Sequence, residues 1–103
     1  MTSKNFSEAL SYMQKQTVET LHRKAFEYAS DEDRLHNFRV AAKLQGITEK
    51  QALGGMMAKH IVSVYDMIGS SDDFPHALWE EKIKDSINYM FLLWAMVSES
   101  TEE

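Results

Sequence analysis

The chain has 103 residues, of which 44% are hydrophobic, and it carries a formal net charge of −5 and no cysteine. A chain of this length forms one domain with a modest core, and without cysteine it has no disulfide, thiolate nucleophile or cysteine-based metal site. The acidic balance argues against direct nucleic-acid binding, which needs a basic surface, and the polar first residues lack the pattern of a signal peptide.

The first predicted helix covers residues 6–28, where residues facing one side recur at helical spacing. This stripe consists of Phe6, Leu10, Met13, Thr17, Leu21 and Tyr28. A second helix is predicted to begin near Asp31, because Ser30 and Asp33 have the spacing of a capping box. Its predicted inward residues are Leu35, Phe38 and Ala42. It should end at Gly46, since glycine readily takes the left-handed conformation that closes helices.

The third predicted helix opens at Thr48, which forms a second capping-box pattern with Gln51, and it should close at Gly69. Its apolar stripe consists of Leu53, Met56, Met57, His60, Val64, Met67 and Ile68. Gly54 and Gly55 stand inside this helix, where the expected reason is the close approach of a neighbouring helix.

The fourth predicted helix covers residues 78–97, with Pro75 suited to a first-turn position. It ends in an apolar run at residues 89–97, which is too short for the roughly 20 residues that span a bilayer. Residues 98–103 are expected to fray. Together these segments predict an all-α single domain, covering residues 1–103, in which four helices pack as antiparallel neighbours in a bundle.

The apolar run has more surface than three partner helices readily cover, which predicts an oligomer. Its expected helix-on-helix interface consists of Met90, Leu93, Trp94 and Val97, in a dimer or higher cyclic assembly. The alternative is a tightly wrapped monomer in which Trp79 and Trp94 are both core residues.

A polar stripe precedes the apolar run on the same helix. Glu81, Asp85 and Asn88 lie within about 60° of one another on one helix face, and the stripe continues into Leu92 and Met96. Because that continuation must be covered, the stripe is expected to lie beside a ligand groove or at the polar rim of an interface. A cation, or a basic group such as Lys24 or Lys59 from a neighbouring helix, should then offset the carboxylates.

Two interpretations of Glu81 and Asp85 stay open. Carboxylates one helical turn apart can jointly hold Mg²⁺, the one metal cofactor that this pattern suggests. They are also consistent with an ordinary mixed-charge helix surface. His60, in the middle of the third stripe, is either a core histidine with one hydrogen bond or a ligand-binding residue or base.

Several short motifs connect these residues to a known family. In chain order they are Lys24-x-x-Glu27-Tyr28, Asn37-Phe38, Lys59-His60 and Glu81-x-x-x-Asp85-x-x-Asn88-Tyr89. With them the chain resembles small helical proteins of bacteriophages and prophages, the group described as nucleotide-modification-associated domain 1, which includes SaV-like proteins. That group is distantly similar to the all-α nucleoside triphosphate pyrophosphohydrolases of the MazG and dimeric dUTPase type.

The resemblance implies an often oligomeric helical bundle in the cytoplasm, the host's own if the chain is phage-encoded. It also implies a nucleotide site that includes Glu27, Lys59, Glu81, Asp85 and Asn88. In such a site Lys59 would meet phosphate, Tyr28 or Tyr89 would stack on the base, and Glu81 and Asp85 would hold Mg²⁺. His60 completes the set of candidate ligand-binding residues.

Two classes of function follow. The first is a noncatalytic binding protein, whose ligand is nucleotide-like or whose partner is a host protein such as a defence factor. The second is a Mg²⁺-dependent pyrophosphohydrolase, in which carboxylate-held Mg²⁺ bridges phosphate oxygens. The pyrophosphohydrolases carry a Glu-x-x-Glu motif that this chain lacks on its first helix, and that difference favours the binding protein.

Overall fold

The structure is a computed structural model that describes residues 1–28 and 33–101, with the backbone alone described for residues 25–28 and 100–101. Its described part contains four α-helices, α1 (Ser3–Tyr28), α2 (His36–Gln45), α3 (Glu49–Gly69) and α4 (His76–Thr101), and no strand. The all-α prediction is therefore confirmed. None of the helices in this part of the chain combines enough length with enough apolar residues to span a bilayer.

Local capping signals set the turn between α2 and α3 as predicted. Gly46 has φ 68°, in the left-handed region, and its backbone N–H donates to the Ala42 carbonyl oxygen. At the start of α3 the Thr48 Oγ1 accepts from the Gln51 backbone N–H at 3.1 Å. The Gln51 Oε1 accepts in return from the Thr48 backbone N–H at 2.9 Å, which satisfies two donors that the first helical turn leaves unpaired.

Two other helix limits differ from the prediction. The helix α2 begins at His36 and not near Asp31; Ser30 and Asp31 lie outside the described residues, so the capping box predicted from Ser30 is not described. Asp33 instead accepts from the Leu35 backbone N–H at 3.0 Å, forming a turn just before the helix. The helix α4 continues past the predicted limit at residue 97 and is described as far as Thr101, and the fraying expected at residues 98–103 stays a prediction.

The contacts between helices define the topology. Leu53 packs in one cluster with Met96, while His60, further along α3, lies beside the earlier Asp85 and Tyr89 of α4, so α3 and α4 are antiparallel. For α1 and α4, residues further along one helix meet residues further along the other. Tyr12 donates to Glu80, and the later Leu21 lines a cavity with the later Leu92. The helices α1 and α4 therefore run in the same general direction, and the expectation of antiparallel neighbours throughout is wrong for this pair.

The core is small and lies between α2, α3 and the second half of α4. Its buried members are Leu35, Phe38, Leu53 and Met96, with Met56, Met57, Tyr89, Leu92 and Leu93 packed against them. Ile68, predicted to face inward, is 65% exposed. The interpretation of Gly54 and Gly55 is also wrong, because a Cβ built at either residue meets nothing within 4 Å.

The helix α1 is covered over only part of its length. Thr17 and Thr20 are buried, whereas Phe6 and Leu10, on the same predicted stripe, are 58% and 48% exposed. Since Tyr12 already lies beside Glu80, near the start of α4, the first turns of α1 extend past the helix that covers the rest. Trp94 is 69% exposed, so the alternative of a wrapped monomer with a buried Trp94 is wrong.

One arginine forms ion pairs with carboxylates near the start of α2, the start of α3 and the end of α4. Arg39 on α2 is 2.7 Å from Asp33 before α2, and 2.9 Å from both Glu49 at the start of α3 and Glu99 near the end of α4. The Arg39 hydrogen bond holds the pKa of the Asp33 carboxyl below its usual range. This cluster explains why α4 stays helical beyond the predicted limit.

Candidate functional site

All four helices meet around a central cavity of about 400 Å³. Its lining residues are Leu21 and Lys24 of α1, Arg34, Asn37 and Phe38 at the start of α2, Met56 and Lys59 of α3, and Asp85, Asn88, Tyr89 and Leu92 of α4. Clefts between the helices of a bundle are common ligand sites, and their walls are mostly apolar with a few placed polar groups. The central cavity has that composition.

The most unusual polar group of the wall is the amide of Asn88. This residue is only 7% exposed, and its buried Oδ1 has no hydrogen-bond partner among the residues that the structure describes. A buried oxygen without a donor costs about 1–3 kcal/mol of stability, and native proteins leave few such groups unsatisfied. The stripe that places Asn88 here continues into the apolar half of α4, which is why the amide is covered.

Asp85 lies one turn before Asn88 and contacts groups from two other helices. Its Oδ1 is 3.7 Å from the Lys24 Nζ of α1, and its Oδ2 is 3.8 Å from the His60 Nδ1 of α3. The Asp85 side chain is 14% exposed, so this carboxylate is largely withdrawn from water. Lys24, one of the basic groups expected to offset the carboxylates, therefore lies beside Asp85, and Lys59 lines the same cavity.

Burial controls the protonation of two rings beside Asp85. The pKa of His60 is lowered, chiefly because burial disfavours the charged imidazolium and in spite of the opposing charge of Asp85. The pKa of Tyr89 is raised by burial and then by the Asp85 charge. At neutral pH His60 is thus a neutral ring and Tyr89 keeps its hydroxyl proton. Their ring centroids are 4.9 Å apart.

The charge of the wall favours an anion. In the part of the wall that the structure describes, Lys24, Arg34 and Lys59 line the cavity together with a single carboxylate, Asp85. The Arg34 Nη2 donates to the Leu21 carbonyl oxygen at 2.8 Å, which holds this side chain across the gap between α1 and α2. The basic lining contrasts with the net charge of −5 for the whole chain.

The structure brings together five of the eight residues predicted for a site. Lys59, Asp85, Asn88 and Tyr89 line the central cavity, and His60 lies against two of them. Glu81 is exposed and is absent from the cavity wall. Among the residues whose side chains are described, no three His, Asp or Glu residues form a group that could hold a metal ion. Glu27 and Tyr28 have only their backbone described.

Sequence reasoning missed Arg34 and did not place Asn37 and Phe38 in a site from their own pattern. Asn37 and Phe38 lie in the first turn of α2, where the true start of the helix differs from the predicted one. Arg34 lies just before that helix and belongs to no periodic pattern. Only the position of α2 against α1 makes these residues part of the wall, and no local signal reports it.

Comparison with known proteins finds no matching family model, no matching curated protein and no matching solved structure.

Proposed function

We propose that this protein binds a small, anionic, nucleotide-like ligand in the central cavity and does not transform it. The observation that carries the proposal is the buried Oδ1 of Asn88, which accepts no hydrogen bond from the described residues, while Asn88 lies in a wall with three basic side chains. A ligand with an N–H or O–H group would supply the missing donor. A phosphate on the same ligand would meet the lysines and the arginine.

The remaining wall suits the base of a nucleotide. Phe38 and Tyr89 are aromatic, and their rings meet edge to face at 6.4 Å, while Leu21, Met56 and Leu92 complete an apolar side. Bases stack on aromatic rings and donate hydrogen bonds from exocyclic amines. A volume of about 400 Å³ lies in the range of small-molecule pockets.

The polar groups of the wall support binding more than hydrolysis. Phosphate hydrolysis by Mg²⁺ needs carboxylates to hold the metal and a base to activate water. Among the residues whose side chains are described, Asp85 is the one carboxylate of the lining, and it faces Lys24 at 3.7 Å. A single, cation-paired carboxylate positions a ligand more readily than it holds a metal, so we place the pyrophosphohydrolase second.

Thermal unfolding in the presence of nucleosides and their mono-, di- and triphosphates, with and without Mg²⁺, tests the proposal. A ligand at 100 times its Kd should add about 2.7 kcal/mol of stability. We expect phosphorylated compounds to stabilise the protein and nucleosides to do so far less. Chromatography of the same mixtures should show unchanged nucleotide, whereas release of pyrophosphate would establish the hydrolase instead.

Charge variants identify the site. Lys59→Ala removes a positive charge from the wall and should weaken binding of the anion by at least tenfold, about 1.4 kcal/mol, with helical content unchanged. Lys50→Ala, at an exposed α3 position outside the cavity, is the matched control and should bind like the parent. If no nucleotide stabilises the protein, or if Lys59→Ala and Lys50→Ala bind alike, the proposed site is wrong.

A further inference from the structure

A row of apolar side chains on α4 faces away from the rest of the chain. Trp94 is 69% exposed, Met90 51% and Phe91 44%, and we call these three residues the outer face of α4. Residues 89–98 contain no charged side chain. Soluble monomers rarely leave large aromatic and sulfur-containing side chains together in water, and such patches mark interaction sites.

The outer face continues into a groove between α4 and α1. Phe91 and Ala95 line this groove with Val18 of α1, and the space between them is about 540 Å³. Apolar residues from two helices therefore line the groove, beside the charged Asp33, Arg34 and Glu99.

The dimensions of the chain indicate how much surface is left uncovered. Its accessible surface is 7555 Å², whereas a typical monomer of 11.9 kDa exposes about 5,950 Å². Its radius of gyration is 15.8 Å, against about 12.8 Å for a compact domain of 103 residues. The excess is about 1,600 Å² per chain, or twice that for two chains. Obligate dimers bury about 2,000–5,000 Å² in total in their interfaces, and the excess of two chains lies in that range.

We propose that a second copy of this chain covers the outer face of α4, forming a two-fold symmetric dimer. The outer face of one protomer would meet the outer face of its partner, as a two-fold axis requires. The lack of charge argues against a nucleic acid, which would need basic groups there, and against a basic protein, which would need acidic groups. An apolar surface, by contrast, is complementary to itself.

Sedimentation equilibrium of the full chain at micromolar concentration tests this proposal. We expect a mass of twice 11.9 kDa for the parent protein and a single-chain mass for Trp94→Glu. Tyr65→Glu is the matched control, since Tyr65 on α3 is 71% exposed and lies outside the outer face; it should remain dimeric. A monomeric parent protein overturns the proposal, and so does a Trp94→Glu variant that stays dimeric.

A second measurement keeps the test independent of how well the glutamate variants fold. Trp79→Phe leaves Trp94 as the one tryptophan of the chain, which has two. On dilution, the Trp94 emission should shift to the red and become more accessible to quenchers as the dimer dissociates. Emission that stays red and equally quenched at every concentration would show that nothing covers Trp94.

Discussion

Replacing Asn88 by leucine should make the protein more stable and its ligand binding weaker. No described residue donates to the buried Oδ1, so its removal relieves a penalty of about 1–3 kcal/mol. Leucine is bulkier than asparagine, but the adjacent cavity of about 400 Å³ leaves room for it. We therefore expect a net gain of about 1 kcal/mol, which raises the melting temperature by about 4–8 °C in a domain of this size.

The binding effect of Asn88→Leu has the opposite sign. Without the amide oxygen, a ligand donor placed there becomes unpaired in turn, and we expect at least a tenfold loss of affinity, about 1.4 kcal/mol. Thermal and urea unfolding, followed by circular dichroism at one protein concentration, measure the first effect. Calorimetric titration with the most stabilising nucleotide measures the second.

Asn37→Leu is the matched control for Asn88→Leu. Asn37 lines the same cavity but is exposed, so water already satisfies its amide and stability should change by less than about 0.5 kcal/mol. A lower melting temperature for Asn88→Leu would show that the oxygen is satisfied in solution. Our account of Asn88 as an open acceptor would then be refuted.

Three further changes test other features. Arg39→Met should cost about 1–2 kcal/mol, since exposed ion pairs contribute about 0.2–1 kcal/mol each and Arg39 forms three. The pKa of Asp33 is lowered in the folded state. The stability lost in Arg39→Met should therefore be largest at a pH above the ordinary carboxyl pKa, and it should become smaller as acid protonates Asp33. The pKa of His60 is also lowered on folding, so stability should decline as the pH falls below about 6.5, and His60→Leu should flatten that decline. Gly46→Ala should cost about 1–2 kcal/mol, because φ is 68° there.

Each of these changes has a control. Arg23→Met and His22→Leu replace exposed residues of α1 and should alter stability by less than about 0.5 kcal/mol. Gly55→Ala, at an exposed helical position where a Cβ meets nothing within 4 Å, should stabilise by about 0.5–1 kcal/mol. Urea unfolding across a range of pH and salt measures all of them. An unchanged pH profile for His60→Leu, or equal effects of Gly46→Ala and Gly55→Ala, would contradict the reasoning.

The parts of the fold that the sequence predicts correctly are those set by local interactions. The turn at Gly46 and the cap at Thr48 involve residues at most five apart, so their side-chain chemistry is sufficient to predict them. The end of α4 depends instead on Glu99 meeting Arg39, 60 positions earlier in the chain. Prediction of helix ends from residues that are close in sequence cannot include that contact.

The stripe of α1 shows the same limit in packing. Its period predicts which side of the helix faces inward, and Thr17 is indeed 1% exposed. The length of α1 that α4 covers depends on how far the two helices are shifted along each other. The spacing of apolar residues in α1 carries no information about that shift. Phe6 and Leu10 thus fit the pattern and remain exposed.

The candidate site was predictable where polar residues interrupt a stripe that must be covered. Asp85, Asn88 and Tyr89 satisfy that condition and line the central cavity. Glu81 belongs to the same stripe but is exposed, because it lies one turn nearer the open end of the helix pair. Predicting that Arg34 lines the cavity would have required the position of α2, and the spacing of residues in the sequence does not give that position.

We expect ligand binding and dimerisation to be coupled, because the central cavity and the groove beside the outer face share a wall. Leu21, Arg34 and Leu92 line both spaces. A phosphate that draws Arg34 into the central cavity would remove a charge from the groove, and apolar contact between protomers would then displace less bound water. The ligand should therefore tighten the dimer, and the dimer should tighten the ligand by the same factor.

Sedimentation equilibrium with and without a saturating nucleotide measures this coupling. A typical coupling free energy of 1–3 kcal/mol corresponds to about a 5- to 150-fold lower dimer dissociation constant. Arg34→Met should abolish the change while leaving a dimer, since the outer face of α4 is intact in that variant. If the nucleotide changes the dimer dissociation constant equally in the parent and in Arg34→Met, Arg34 in the shared wall does not couple the two events. Ligand binding and dimerisation would then use two sides of α4 independently.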